Sequence, residues 1–268
     1  MIISDTYGFA FVHIPKCGGS TVKHVISSYN ETDLPIVGIH EHPALGRLDY
    51  AHIPLEVLRE HFAKEFSKIE QYKAFALVRD PRERFFSALS QNQRMFSGTD
   101  ITTMASRDVI RQCEKVCNYL QTLNGFCDPE RIHFEKQSRY LDLDDKRVVD
   151  VVLPLHRLDL LVAGIGDSVH RKLKIGAPVN QTRIKRFGLR KSLADKNDKI
   201  YVKIRRSKII PLFIKKIATN IMYTEFDHKI YINEMPTEII SFIDQYYKED
   251  AVIYQNALQT QERWTLQA

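Results

Sequence analysis

The chain has 268 residues, 44% of them hydrophobic, and a formal net charge of +6 at pH 7. That size suits one domain over residues 1–268 with a sizeable core and argues against two full domains. Residues 1–8 lack the basic flank and apolar region of a signal peptide, and no apolar run approaches the ~18 residues of a membrane span, so the chain reads as soluble, unexported and cytoplasmic.

In chain order, Phe9 to Ile14 has the composition of a buried strand and breaks into Lys16-Cys17-Gly18-Gly19-Ser20-Thr21. Ser20 or Thr21 is expected to cap a helix whose apolar positions are Val22, Val25, Ile26 and Tyr29. Gly18 and Gly19 let the backbone approach a ligand, and first-turn amides and the helix dipole add positive potential at the same point. With the Lys16 charge and the two hydroxyls, this reads as an anion cradle for phosphate or sulfate. It is not the nucleotide P-loop, whose lysine follows the last glycine. A ligand-free strand-to-helix turn stays open as the alternative.

Between residues 33 and 66, His40, His42, His52 and His61 follow in quick succession, with Glu41 beside His42 and Pro54 opening a helix after His52. A histidine near its ordinary pKa suits proton abstraction. The His-x-His pair also suggests metal, but no cluster of acidic or cysteine partners is evident, so no metal is expected.

Lys73 to Val78 reads as a second strand, with a polar break at Arg79-Asp80 and Pro81 at the first helical position. Arg79 falls at the C-terminal end of that strand, where open α/β sheets place ligand groups. Ser87, two turns into the helix and on the side of Glu83 and Arg84, would hold a phosphate from the other side. Residues 106–124 form a helix with Ser106 as cap, Gly125 as stop and an apolar side of Val109, Ile110, Cys113, Val116, Cys117 and Leu120. A strand over Val148–Leu153 and a helix over Arg157–Ile165 continue an alternation that argues for a parallel sheet with covering helices. Residues 183–216 are strongly basic, a solvated face or a surface closing over a polyanion, with no nucleic-acid recognition signature beside them. A strand region over Tyr223–Ile232 and a helix from Pro236 to about Leu258 complete the chain. The four cysteines read as reduced structural thiols, although the loop amides and Lys16 would lower the pKa of Cys17.

In this order the two strand-loop-helix stretches resemble the sulfotransferases that use 3′-phosphoadenosine 5′-phosphosulfate (PAPS), especially the carbohydrate and Golgi-type branch and its bacterial relatives. The resemblance implies an α/β, P-loop-NTPase-like fold with a central parallel sheet flanked by helices. It assigns Lys16, Cys17, Gly18, Gly19, Ser20 and Thr21 to the 5′-phosphosulfate end, and Arg79 and Ser87 to the 3′-phosphate. Further matches are Arg131-Ile-His-Phe-Glu-Lys-Gln137 to the family's His-x-x-Pro-Gln segment, with Lys136 in place of Pro, Val179-Asn-Gln-Thr182 to Asn-x-Ser/Thr, and Tyr247 to Asp250 to Tyr-x-x-Asp. Ala51-His52 is similar to the Gly-His context of the uronosyl members' base, with His42 second and Glu41 third.

The implied reaction is in-line sulfuryl transfer to a hydroxyl, a carbohydrate favoured, or to an amine or small natural product. Lys16 is the charge-neutralising residue, the bisphosphate PAP is the product and no metal is required. Golgi relatives carry an anchor not seen here, which implies a cytoplasmic bacterial-type enzyme or a chain trimmed of its anchor. Two alternatives from other classes are a P-loop-like nucleotide kinase, which would need Gly-Lys-Ser/Thr and a magnesium carboxylate, and a non-catalytic polyanion-binding module.

Overall fold

The computed structural model describes residues 1–35, 37–175, 183–185, 223–225 and 229–267. It divides into two units: Met1–Pro178 with His228–Ala268, and Val179–Asp227. In the larger unit the elements run β1 (Ile2–Ser4), β2 (Phe9–Phe11), α1 (Gly19–Ile26), β3 (Ile39–His42), β4 (Gly46–Asp49), α2 (Leu55–His61), α3 (Ala63–Gln71) and β5 (Lys73–Val78). They continue through α4 (Pro81–Asn92), α5 (Ser106–Thr122), β6 (Asp142–Leu143), β7 (Lys146–Arg147), β8 (Val151–Pro154) and α6 (Leu158–Ser168). After the smaller unit come α7 (Lys229–Glu234), α8 (Thr237–Tyr246) and α9 (Lys248–Gln267).

The main sheet has the order β1-β2-β5-β8. β2, β5 and β8 are parallel, with Phe9 opposite Lys73 and Phe75 opposite Val151, which bears out the central parallel sheet. The antiparallel edge strand β1, Ile2 opposite Phe11, had no signature in the sequence. Phe9, Phe11, Phe75, Leu77 and Leu153 are at most 1% exposed, as strands buried on both faces require. Each such side chain contributes roughly 1.5–3 kcal/mol of burial. Helices flank the sheet: α3 packs on β1, β2 and β5, α6 on β5 and β8, and α9 on β5 and β8.

Several boundaries differ from the sequence reading. Helix α1 is preceded by Gly18 in the left-handed region at φ 80°, with no side-chain cap, so Ser20 and Thr21 lie inside the first turn instead of capping it. At α5 the carbonyl of Ala105 accepts the amides of Asp108 and Val109, which makes Ala105 the cap and Ser106 the first helical residue. Among the described residues of the expected 223–232 strand, Tyr223–Glu225 are extended, whereas Tyr231 and Met235, four apart and both 8% exposed, form the buried side of α7 and its end. The expected last helix is broken at Tyr247, which separates α8 from α9.

The smaller unit contains β9 (Arg183–Lys185) and β10 (Tyr223–Glu225), paired antiparallel with Ile184 opposite Thr224. The remainder of the basic 183–216 segment and the Val179–Thr182 motif lie outside the described residues.

Candidate active site

The parallel strands deliver His13 and Arg79 to the same sheet edge, and the site grows from there. After β2 the backbone turns through Lys16 at φ 63° and Gly18 at φ 80°. A left-handed lysine costs on the order of 1–3 kcal/mol, a strain tolerated where function requires it. The glycines serve a purpose other than ligand approach. A Cβ on Gly18 would lie 2.3 Å from Leu155 Cδ1, and one on Gly19 would lie 1.9 Å from His13 Cδ2. Both glycines therefore let the loop pack down closely on Leu155 and His13.

Lys16 Nζ donates to Gln91 Oε1 at 3.5 Å, and Arg94 Nη2 reaches the same oxygen at 3.5 Å. Burial, then repulsion from Arg94 and Arg79, lowers Lys16 to about 8. Three cations thus bear on one another beside the loop, an arrangement that an anion relieves. Gln91 and Arg94 carried no motif; Arg94 sits in a π-helical turn, Gln93–Ser97, appended to α4. Such turns cluster at functional sites.

The α4 start follows its sequence: Asp80 Oδ1 accepts the Glu83 amide at 3.1 Å, with Pro81 first in the helix. Arg79 directs Nε and Nη2 to Glu83 Oε2 at 3.3 and 3.2 Å. Ser87 is buried at 7% exposure on the same helix. Arg84, however, faces the core at 1% exposure, away from the partly exposed Glu83. Its Nη1 and Nη2 donate to the carbonyls of His133 and Glu135, at 3.1 and 2.7 Å, and Nη2 lies 3.6 Å from Asp250 Oδ2. Asp250 accepts the amides of Gln137 and Ser138 at 2.8 and 3.0 Å, and Tyr247 Oη donates to the Phe134 carbonyl at 2.5 Å. The Arg131–Gln137 and Tyr247–Asp250 stretches therefore meet as one buried strut.

Cys17 belongs to this interior. It is 1% exposed, with Sγ 3.2 Å from Gln137 Oε1 and 3.4 Å from the Pro15 carbonyl. Burial pushes the thiol up to about 12, the reverse of the lowering expected from the loop, because desolvation outweighs Arg84, Arg79 and Lys16. All four cysteines are free and buried.

Three histidines gather behind the loop: the His13 and His52 rings are 4.4 Å apart, and His52 and His133 5.5 Å apart. His52, 8% exposed, directs Nδ1 to the His13 carbonyl at 3.0 Å. A carbonyl can only accept, so Nδ1 carries the proton and Nε2 the lone pair. Burial, reinforced by the neighbouring histidines, holds His13 and His52 well below the ordinary range, and burial with Lys16 and Arg84 lowers His133 to about 3. The Nδ1 atoms of His13 and His133 are buried without a hydrogen-bond partner among the described residues. One donor atom each of Asp49, His52 and His133 lie within 4.8 Å of one another, a grouping that their spacing in the chain hides. His42 is placed elsewhere, on the β3–β4 hairpin, where its Nδ1 accepts the amides of Ala44 and Leu45 at 3.3 and 3.2 Å and its ring packs on His61 and Phe62. Glu41 is exposed on the same hairpin, opposite Arg47.

A cation-lined loop and a strand-end arginine thus stand at one end of a parallel sheet in an α/β fold, an arrangement that suits an anion. The model of the sulfotransferase family matches residues 1–256, and the chain belongs to that family, whose members are PAPS-dependent sulfotransferases. Neither the comparison with curated proteins nor that with solved structures gave a match. Family membership sets aside the kinase and the non-catalytic module. No helix among the described residues is long and apolar enough to cross a membrane.

Proposed function

We propose that the chain transfers the sulfuryl group of PAPS to a hydroxyl, a carbohydrate hydroxyl favoured over an amine or a small natural product, with His52 as general base. The observation that carries the choice of base is the bond from His52 Nδ1–H to the His13 carbonyl. It fixes the tautomer, leaves the Nε2 lone pair unprotonated and ties the ring to the residue from which the anion loop departs. On His42, by contrast, Nδ1 is occupied by two backbone amides, so the proton resides on Nε2 and that nitrogen is no base.

PAPS supplies the electrophilic sulfur and a bisphosphate leaving group. The first-turn amides of α1 with Ser20 and Thr21 hold its 5′ end, and Arg79 with Ser87 holds the 3′-phosphate, Arg79 exchanging or sharing its Glu83 contact. Lys16, neutral in part before binding, takes a proton as negative charge arrives and stabilises the leaving oxygen. His52 accepts the acceptor's proton as the bond to sulfur forms. The reaction needs the acceptor oxygen, sulfur and leaving oxygen in line, which is the service of the two anchoring ends. Four reduced cysteines accord with a cytoplasmic site of action.

The deciding experiment is Lys16→Ala, assayed by transfer of labelled sulfate and by titration with adenosine 3′,5′-bisphosphate. Turnover should fall roughly 10²–10⁴-fold, with a much smaller loss of affinity. Weakened binding with unchanged turnover would reduce Lys16 to a docking residue.

A further inference from the structure

Gln137 has a place that its segment's resemblance did not explain. The side chain is wholly buried at the end of β5. Nε2 donates to the carbonyl of Arg79 at 2.9 Å, and Oε1 accepts the Arg79 amide at 2.9 Å, the two-point pairing one strand offers another. Oε1 also lies 3.2 Å from Cys17 Sγ, and the thiol remains protonated and able to donate. Both lone pairs of the amide oxygen are thus used, and a flipped amide would set its NH₂ against two donors.

One amide therefore touches the loop assigned to the 5′ end and the residue assigned to the 3′-phosphate. Its own position is set from a third direction, by Asp250 on α9 through the Gln137 amide, with Arg84 opposite Asp250. Residues 17, 79 and 137 come from three separate stretches of chain, and the Gln137 side chain bridges the first two beyond the point where the β2–β5 pairing ends.

We propose that Gln137 is a positioning residue that sets the separation of the two phosphate half-sites, so that a 3′,5′-bisphosphorylated nucleotide engages both at once. The inference rests on the bisphosphate reading given above. Its physical basis is bivalency: the second contact is strengthened by the first only when the distance between sites matches the span of the ligand. A nucleotide with a single phosphate does not sense that distance. Gln137 touches no substrate in this scheme and acts through Arg79 and Cys17.

The test is calorimetric titration of wild type and Gln137→Leu with adenosine 3′,5′-bisphosphate, adenosine 5′-phosphate and adenosine 3′-phosphate. The variant should lose roughly 10–100-fold in affinity for the bisphosphate, while each monophosphate changes by less than about 3-fold. Equal losses for all three ligands, or no loss, would overturn the proposal and leave Gln137 a packing residue. Cys17→Ala and Cys17→Ser provide the test if Gln137→Leu does not fold. Cys17→Ala should lose roughly 3–10-fold for the bisphosphate alone, and Cys17→Ser, whose hydroxyl can donate to the same oxygen, should recover it. Cys17→Ala with wild-type preference for the bisphosphate would overturn the link. A wild-type protein that binds the bisphosphate no better than the monophosphates would overturn the bisphosphate reading and the proposal with it.

Discussion

Arg84 and His52 are both buried polar side chains near the C-terminal ends of the parallel strands, yet their surroundings are built on opposite terms. Around Arg84, charge meets charge and donors meet carbonyls, through Asp250, His133 and Glu135, and among the described residues Nε of the guanidinium lacks a partner. Around His52 three neutral imidazoles crowd together, and two of their nitrogens have no partner among the described residues. A paired interior fixes coordinates, whereas an under-paired one keeps lone pairs available at a cost in stability. On the proposed function, the strut would hold the nucleotide-binding side in place and the histidine cluster would supply the base.

If that division is correct, damage to each region should register in a different assay. The largest effect is expected for His52→Ala, which should lower acceptor sulfation by roughly two to four orders of magnitude with bisphosphate affinity nearly unchanged. His42→Ala is the control; an inactive His42 variant beside a normal His52 variant would move the base to the hairpin. On the strut, Asp250→Ala leaves Arg84 charged and buried and should cost about 3–5 kcal/mol in urea unfolding. A cost below about 1 kcal/mol would mean that the pair is dispensable to the fold.

Acid should find the histidine cluster first. The folded pKa values of His13, His52 and His133 lie below those of the unfolded chain, so the unfolded chain takes up the protons first. Stability is complete above about pH 6.5 and falls as pH drops, by about 1.4 kcal/mol per unit for each histidine still unprotonated in the fold. Urea midpoints at pH 7, 6 and 5 should trace this decline, and His133→Asn should flatten it by about a third; an unchanged slope would show that His133 takes up its proton equally in the folded and unfolded chain. The smallest effect concerns Lys16. With its pKa at about 8 in the free protein, binding of the bisphosphate at pH 8 should draw in about half a proton, read from titrations in buffers of different ionisation enthalpy. Lys16→Arg should abolish the uptake.

The half of the site written in local sequence was legible. The run Lys73–Val78, the polar break at Arg79-Asp80 and Pro81 at the first helical position are decided by neighbours a few residues apart, and they lie where the residues alone place them. The same holds for the loop after β2, although the reason for its glycines lies in Leu155 and His13. What could not be read depends on contacts across the chain. The Gln137 amide meets Arg79 58 residues away, and His52 finds the His13 carbonyl across 39. The break at Tyr247 is equally non-local: an apolar helical pattern continues through it, and only burial of the tyrosine and Asp250 against residues 134–138 gives the interruption a purpose.

The seat of the His13 ring on Gly19 changes how a genetic screen of this enzyme should be interpreted. Any side chain at position 19 has to displace that imidazole, and the residue carrying it also supplies the carbonyl that orients His52. A lesion in the loop would then be felt by the proton-transfer step, so variants at position 19 should group with the base by phenotype, and a map drawn from activity loss alone would assign a loop residue to the wrong substrate.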